Sequence, residues 1–352
     1  MNRRDVITTA GAVALWAAMP AGSLSAAQPG APGLHLGKRL RLACAWPQAA
    51  GGTHDAALTM ARAIETAVEG AHVDVFAATD GHAHADDISF SSEHDHAAHN
   101  PALAFIAGLP GRFTLPPDVS AHWLTNSGAP LWRAAAARSA TAIPLYAGCE
   151  GVAPSLWSRH EIVSLAGLKV AGAEGVIVDL LTACGAAPVE LHQSLWASAL
   201  ASGDVDAVHV ASLEDALTLG LQRHAKHCLP GALMAHGGPL ALRVPAHLWS
   251  ALTPGARQNL RLRVAETGLR SLARSAHNHA ALLAATAEAY GLRVHQRTPL
   301  ALQTTLDRLS EAIVADCSGR DTLCRSLGGA SMAELRAKRK TALCITGSLN
   351  DV

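Results

Sequence analysis

Two short segments, separated by a single helix, constrain the fold of this chain more than any other part of its sequence. The first reads LAGLK over residues 165–169 and runs into Val170, a pattern typical of a loop that leads into a strand. The second reads ALASGDVDA over residues 199–207 and predicts a helix that ends at Gly203, followed by a strand from Val205. Both segments predict strands that alternate with helices.

The same alternation extends along most of the chain. Period-two apolar patterns predict strands at residues 38–45, 72–76, 87–90, 142–146, 168–171, 189–191 and 205–210. Helical spacing predicts helices at residues 54–69, 117–137 (with a break near Gly128), 176–184 and 193–202. A long helix is predicted over residues 253–290, because Thr253-Pro254 is a typical helix start and Gly291 a typical stop. Strands that feed helices predict an α/β fold with parallel sheets in two lobes.

Size and composition agree with this fold and exclude several functions. A chain of 352 residues is long enough for two domains that each bury a core. With 49% hydrophobic and 16% charged residues it has the composition of a compact globular protein and not of a disordered one. The formal net charge is zero, so bulk electrostatics give no attraction to nucleic acid, and we expect no nucleic-acid partner.

The N-terminus predicts export. Residues 2–7 read NRRDVI, which resembles a twin-arginine motif, and an apolar run follows over residues 10–19. The sequence SAA over residues 25–27 offers the small residues that a signal peptidase requires. We therefore expect a twin-arginine signal peptide over residues 1–27, a linker over residues 28–37 and a periplasmic mature protein.

The seven cysteines do not predict a zinc site, because no two form a Cys-x-x-Cys pair. In an oxidising compartment, Cys317 and Cys324 are spaced so that a disulfide between them would close a small loop. Most of the others are expected to be small buried residues, and the pairing stays open.

The chain resembles the periplasmic solute-binding proteins of TRAP transporters, the DctP family, over roughly residues 38–310. Residues 165–169 and 199–207 carry the resemblance most directly. The landmarks that follow in the same order are Trp123, Gly128 and Leu131-Trp132; Pro144 and Gly148; Trp157-Ser158-Arg159; Ala225-Lys226; Pro230-Gly231; and Trp249. Among the family, the chain is most similar to the subgroup that binds 2-oxo acids and related carboxylates.

The resemblance implies a two-lobed binding protein of the DctP type with a long interdomain helix, which closes on a small ligand and delivers it to TRAP membrane subunits. It implies no catalysis, and it leaves open a homodimer. The implied division of the chain is as follows: residues 38–146 and 232–252 in the first lobe, 147–231 and 291–310 in the second, 253–290 in the bracing helix and 311–352 in a C-terminal extension.

The polar residues that grip the carboxylate in that subgroup are replaced here. The arginine expected after the Gly-Leu-Lys step falls on Ala171, the asparagine on Cys149 and the glutamine on Ala153. The Glu-Trp pair falls on His209-Val210. The resemblance therefore implies a rebuilt ligand site, for which the candidate residues are Glu150, His209, Cys149, Trp123, Asn126 and His94.

Two tryptophans and two arginines are further candidates for this site. In an unbroken helix Trp123 and Trp132 would lie on opposite faces, so we expect one in the core and the other free to stack on a ligand. Arg112 and Arg243 are cations that the family pattern does not place, and either is a candidate to grip an anion.

A second hypothesis is a transition-metal site in the histidine-rich segment between His82 and His99. If residues 91–99 are extended, His94 and His96 point to the same side and converge on a divalent metal, with His99 joining if the chain bends. The alternative for this segment is a solvated surface loop. A third hypothesis is a ligand-free scaffold or sensor with the same fold.

Overall fold

The structure is a computed structural model that describes residues 39–46, 51–78, 81, 83–97, 99–173 and 175–349. The predicted signal peptide, the predicted linker and His82 lie outside these residues. Within them, no helix is long and apolar enough to cross a membrane.

The strands form two separate mixed sheets. Their bounds are β1 Arg39–Cys44, β2 His72–Ala77, β3 Ile88–Ser92, β4 Ala142–Cys149, β5 Ser155–Ser158, β6 Lys169–Ala171, β7 Ala187–Val189, β8 Ala207–Val210, β9 His227–Pro230, β10 Pro239–Pro245 and β11 Arg293–Val294. The first sheet has the order β2-β1-β3-β10-β4 and the second the order β11-β9-β5-β8-β6-β7. We call the parts of the molecule built on these sheets the first lobe and the second lobe.

Helices cover both sheets. Their bounds are α1 Gly51–Ala67, α2 Glu93–Ala97, α3 Ala104–Ala107, α4 Pro117–Thr125, α5 Ala129–Ala136, α6 Val176–Ala183, α7 Trp196–Ser202, α8 Leu213–Thr218, α9 Ala246–Ala251, α10 Pro254–Tyr290, α11 Leu300–Arg320 and α12 Thr322–Leu349. Short 3₁₀ turns occur at Pro101–Leu103, Gly111–Phe113, Gln193–Leu195 and Leu221–Arg223.

Two loops carry the chain between the lobes, one after β4 and one after β9. The chain leaves the first sheet on β4 and enters the second on β5, then returns from β9 to β10. β10 runs antiparallel to β3 and β4, and β5 runs antiparallel to β8 and β9. The expectation of purely parallel sheets is therefore wrong, because each crossing inserts strands of opposite direction among the parallel ones.

Each sheet is buried on both faces. Successive side chains of a strand point to opposite faces, so neighbouring residues enter different cores. In β4, Leu145 packs into one core of the first lobe and Tyr146 into the core on the other face. In β5, Leu156 and Trp157 divide in the same way between the two cores of the second lobe. The layered α/β architecture is the predicted one.

Helix α10 packs on both lobes. Thr253 caps its first turn by accepting a hydrogen bond from the Ala256 amide, and Gly291 ends it in a left-handed conformation. Its first half places Leu260 and Val264 in a core of the first lobe, while Leu282 and its neighbours pack against a core of the second. The predicted long helix is confirmed in position and length.

The C-terminal helices α11 and α12 also connect the lobes. Leu302 and Leu306 of α11 lie in a core of the second lobe, whereas Cys317 and Leu327 lie in a core of the first. Cys317 and Cys324 are buried free thiols, so the disulfide considered for them is not formed.

Candidate functional site

The two crossings between the lobes lie side by side. The Glu150 amide donates to the Gly238 carbonyl at 3.0 Å, and the Gly237 amide donates to the Gly151 carbonyl at 3.0 Å. Glycine is required at this approach, because a Cβ on Gly151 would lie 2.1 Å from the Ala211 carbonyl oxygen. The crossings therefore hold the edges of the two lobes in direct contact.

A cavity of about 80 Å³ lies between the lobes at this point, and we call it the interlobe cavity. Side chains from both lobes line it: Trp46, His94 and Glu150 from the first, and Trp196, His209 and Asp215 from the second. This is the mixture of aromatic surface and a few polar groups that small-molecule sites present.

His94 and Glu150 form an ion pair at the first-lobe side of the cavity. The Nδ1 atom of His94 lies 2.9 Å from Oε2 of Glu150, and the two side chains are only 5% and 10% exposed. The same Oε2 accepts a hydrogen bond from the Gly238 amide at 3.0 Å. The His94 amide donates to the Ser92 hydroxyl at 3.1 Å, which fixes the start of α2. Glu150 is thus held from two directions.

The charges of this pair stabilise each other. Burial alone would lower the pKa of His94, but the charge and hydrogen bond of Glu150, together with the charges of Asp95 and Glu93, raise it above its ordinary value. Burial alone would raise the pKa of Glu150, but the charge and hydrogen bond of His94 lower it below its ordinary value. Each shift favours the charged form of its group, an imidazolium at His94 and a carboxylate at Glu150.

His209 occupies a buried position on β8 at the second-lobe side. Its Nδ1 atom donates to the Gly172 carbonyl at 3.2 Å, since a carbonyl oxygen can only accept. Burial lowers the pKa of His209 to about 4, only partly opposed by the bond to Gly172, so the ring is neutral at physiological pH. Gly172 has φ +78°, and a Cβ on it would lie 2.1 Å from the His209 carbonyl oxygen.

The Nε2 atoms of His94 and His209 share an unusual state. Both are buried, and neither has a hydrogen-bond partner among the described residues. Buried polar atoms in folded proteins almost always have a partner, so each of these nitrogens can form a hydrogen bond to a molecule in the cavity. Glu150, His209 and His94, three of the residues predicted from the sequence, are brought together here.

Cys149 lies beside this group but faces a different space. It lines a neighbouring cleft of about 430 Å³, which Glu150 also borders. The Cys149 thiol donates to the Gly237 carbonyl at 2.9 Å, and burial raises its pKa to about 12. The group is therefore a thiol rather than a thiolate, and as placed it holds the crossing together.

Trp123 and Asn126 lie away from the interlobe cavity. Trp123 and Trp132 are each 1% exposed and pack in the same core of the first lobe, so the expectation that one is free to stack is wrong. The helix breaks between α4 and α5, and this break turns both rings inward. Asn126 ends α4 at the surface, where its side-chain amide donates to the His122 carbonyl.

The prediction of an extended histidine segment is also wrong. Residues 93–97 form α2, in which positions i and i+2 point about 200° apart. His94 accordingly faces Glu150, while Nε2 of His96 lies 2.9 Å from the Ser91 hydroxyl. His96 and His99 border a separate open cleft. In the described part of the chain, no group of three or more His, Cys, Asp or Glu side chains is placed to hold a metal.

Several residues that line the cavity were not predicted from the sequence. Trp46 and Trp196 line the cavity, and Trp196 is fixed by a hydrogen bond from its Nε1 to the Leu191 carbonyl at 3.0 Å. Its place at the start of the helix that ends at Gly203 is the signal that would have found it. Arg243 is not available to grip a solute, because it is buried in an ion pair with Glu93. The side chain of Arg112 lies outside the part of the chain that the structure describes.

Several solved structures of periplasmic solute-binding proteins of TRAP transporters share the fold of this chain. One, from Bordetella bronchiseptica, has a TM-score of 0.76 and 18% identity over 89% of this chain and 96% of its own. It is a dimer of mixed occupancy with calcium and picolinate bound. Another, from Colwellia psychrerythraea, has a TM-score of 0.76 and 17% identity over 89% and 99%, with bound calcium and pyruvate.

A receptor from Bordetella pertussis that binds pyroglutamic acid has a TM-score of 0.67 and 15% identity, over 85% of this chain and 99% of its own. No protein-family model matches the chain, and no curated protein matches its sequence. The likeness thus concerns the fold, which is that of the two-lobed TRAP solute-binding proteins.

Proposed function

We propose that this protein is the periplasmic solute-binding component of a TRAP-type secondary transporter and captures a small organic acid in the interlobe cavity. The observation that carries the proposal is the position of His94 and His209. They come from opposite lobes, line one cavity, and each keeps a buried ring nitrogen without a partner among the described residues. The shared fold with receptors for picolinate, pyruvate and pyroglutamic acid supports an acid as the solute.

The mechanism follows from the placement of these groups. A solute that contacts His94 and His209 together links the two lobes, so it favours the closed arrangement by the contacts it makes only there. The closed form then presents the solute to the membrane subunits. This is a binding function, and we propose no catalysis for the site.

The residues at the cavity do not fit the calcium that accompanies the ligand in two of the neighbouring structures. Calcium takes six to eight oxygen ligands. Glu150 is already paired with His94 and Gly238, and the described residues provide no cluster of three metal-ligating side chains. The proposed capture of the acid relies instead on the two imidazole rings.

Native mass spectrometry of protein purified from its own periplasm tests this function. We expect an organic acid of low mass to be released on denaturation, and the variant His94→Asn to retain less of it than the wild type. A matched control is His277→Asn, at an exposed position of α10. Metal retained in stoichiometric amount without an organic solute would replace the proposal with the metal-binding alternative, and retention of neither would favour the scaffold.

Export and assembly are part of the same proposal. Replacing Arg3 and Arg4 by lysine is expected to leave the precursor in the cytoplasm, as measured by fractionation, if the twin-arginine route is used. Light scattering of the mature protein at several concentrations tests the homodimer. A monomer at all concentrations would remove the dimer without affecting the binding function.

A further inference from the structure

The hydrogen atoms on the two cavity histidines are fixed by what their Nδ1 atoms contact. Nδ1 of His94 faces a carboxylate and Nδ1 of His209 faces a carbonyl, and both of these groups only accept hydrogen bonds. Each Nδ1 therefore carries a hydrogen. The difference between the two rings lies at Nε2.

At His94 the ring lies 2.9 Å from a carboxylate oxygen that also accepts a hydrogen bond from the Gly238 amide. This neighbour favours the imidazolium form of the ring, in which Nε2 also carries a hydrogen and donates. At His209 the ring is neutral with its hydrogen on Nδ1, so Nε2 has a lone pair and can only accept. The cavity thus offers one charged donor from the first lobe and one acceptor from the second.

We propose, building on the function above, that the solute is a small carboxylate with an adjacent hydroxyl or N–H group: the carboxylate accepts from Nε2 of His94, and the adjacent group donates to Nε2 of His209. A 2-oxo acid is disfavoured, because its oxo oxygen would face the His209 lone pair with no hydrogen between them. The cavity of about 80 Å³ is smaller than a cavity of about 150 Å³ that accommodates benzene, so it favours the smallest acids of this class.

Calorimetric titration with matched pairs of acids tests the proposal. The pairs are glycolate with glyoxylate and each enantiomer of lactate with pyruvate, added to dialysed protein from the periplasm. In at least one pair we expect the hydroxy acid to bind about 10- to 100-fold more tightly than the oxo acid, because the oxo acid leaves a buried acceptor unpaired.

Two variants assign the effect to the named atoms. His209→Asn keeps a donor to the Gly172 carbonyl but removes the Nε2 acceptor, so it should abolish the preference for the hydroxy acid. His94→Asn keeps the contact with Glu150 but removes the Nε2 donor, so it should weaken both acids of a pair to a similar extent. Thermal unfolding of each variant reports whether the fold is retained, and His277→Asn serves as the control that should change neither affinity.

The outcomes separate this inference from the function on which it rests. If acids bind but the oxo member of every pair is as tight as the hydroxy member, or if His209→Asn keeps the preference, the inference is overturned and the binding function stands. If no acid in the panel binds, this inference falls, and the organic acid sought by native mass spectrometry decides the binding function separately.

Discussion

Arg243 on β10 and Glu93 at the start of α2 form an ion pair 2.7 Å long, with side chains 4% and 0% exposed. The pair joins residues 150 positions apart in sequence. Glu93 precedes His94, so the ion pair fixes the helix that presents His94 to the interlobe cavity.

Arg243→Leu should lower the free energy of unfolding by about 3–5 kcal/mol, because it leaves the Glu93 carboxyl buried without its charge partner. Urea denaturation measures the change. The double variant Arg243→Leu with Glu93→Leu should recover most of the loss, since it buries no charge.

Arg270→Ala is the matched control for that prediction. Arg270 pairs with Glu266 at the same distance of 2.7 Å, but its side chain is 78% exposed, and the expected loss is below about 1 kcal/mol. Similar losses at Arg243 and Arg270 would contradict the structural role of the buried pair.

Two glycines of α10 should respond in opposite directions to the same substitution. A Cβ on Gly268 would lie 2.4 Å from the Ala147 carbonyl carbon on β4, whereas one on Gly255 meets nothing within 4 Å. Gly255→Ala should therefore stabilise the protein by about 0.5–1 kcal/mol through its effect on the helix. Gly268→Ala should destabilise it by about 1–3 kcal/mol through overpacking. Stabilisation by both changes in urea denaturation would mean that α10 does not press on β4 as described.

His209 should make the protein less stable in acid. The pKa of His209 is lowered to about 4 in the folded state from an ordinary value of 6.5. The stability it contributes is therefore fully present above pH 6.5 and is lost as the pH falls towards 4. Between pH 7 and pH 4.5 the loss for one such group is about 2 kcal/mol.

His209→Asn should reduce that acid-induced loss by a similar amount in urea denaturation series at the two pH values. The exposed His277→Asn should leave the loss unchanged. An identical acid dependence in wild type and His209→Asn would argue against a buried neutral ring.

Glu150→Gln should change the protonation of His94. Without the carboxylate, burial is opposed only by the more weakly acting Asp95 and Glu93, so the pKa of His94 should fall. Nitrogen chemical shifts of the ring at pH 6 should report an imidazolium in the wild type and a neutral ring in the variant. Asp215→Asn, at another carboxylate of the same cavity, is the control that should keep the imidazolium. A neutral His94 in the wild type would contradict the ion pair.

Local signals in the sequence predicted much of the fold. The long helix begins after the cap at Thr253 and ends at Gly291. Both residues act on backbone groups within a few positions of themselves, so the sequence alone predicted the bounds of the helix. The break between α4 and α5 was readable at Gly128, but its consequence for Trp123 and Trp132 was not. Which way each ring turns depends on the core that surrounds it.

The candidate site was only partly predictable for the same reason. Glu150, His209 and His94 were found because the resemblance places their segments at the cleft. The helical form of residues 93–97 was not predicted. Its first residue, Glu93, is held by an ion pair with Arg243, which is distant in sequence. Nδ1 of His94 contacts Glu150, and Nδ1 of His209 contacts the Gly172 carbonyl. No spacing in the sequence predicts either contact.

Helix α10 has 37 residues and is therefore about 55 Å long. Its two halves are anchored in the cores of different lobes. A change in the angle between the lobes therefore strains this helix. An opening of the interlobe cavity would bend α10 or separate one of its ends from the core that it packs on. Gentle bending has the lower free-energy cost, because long helices curve readily. The bending stiffness of α10 would then contribute, together with α11 and the two strand crossings, to the free-energy cost of parting the lobes.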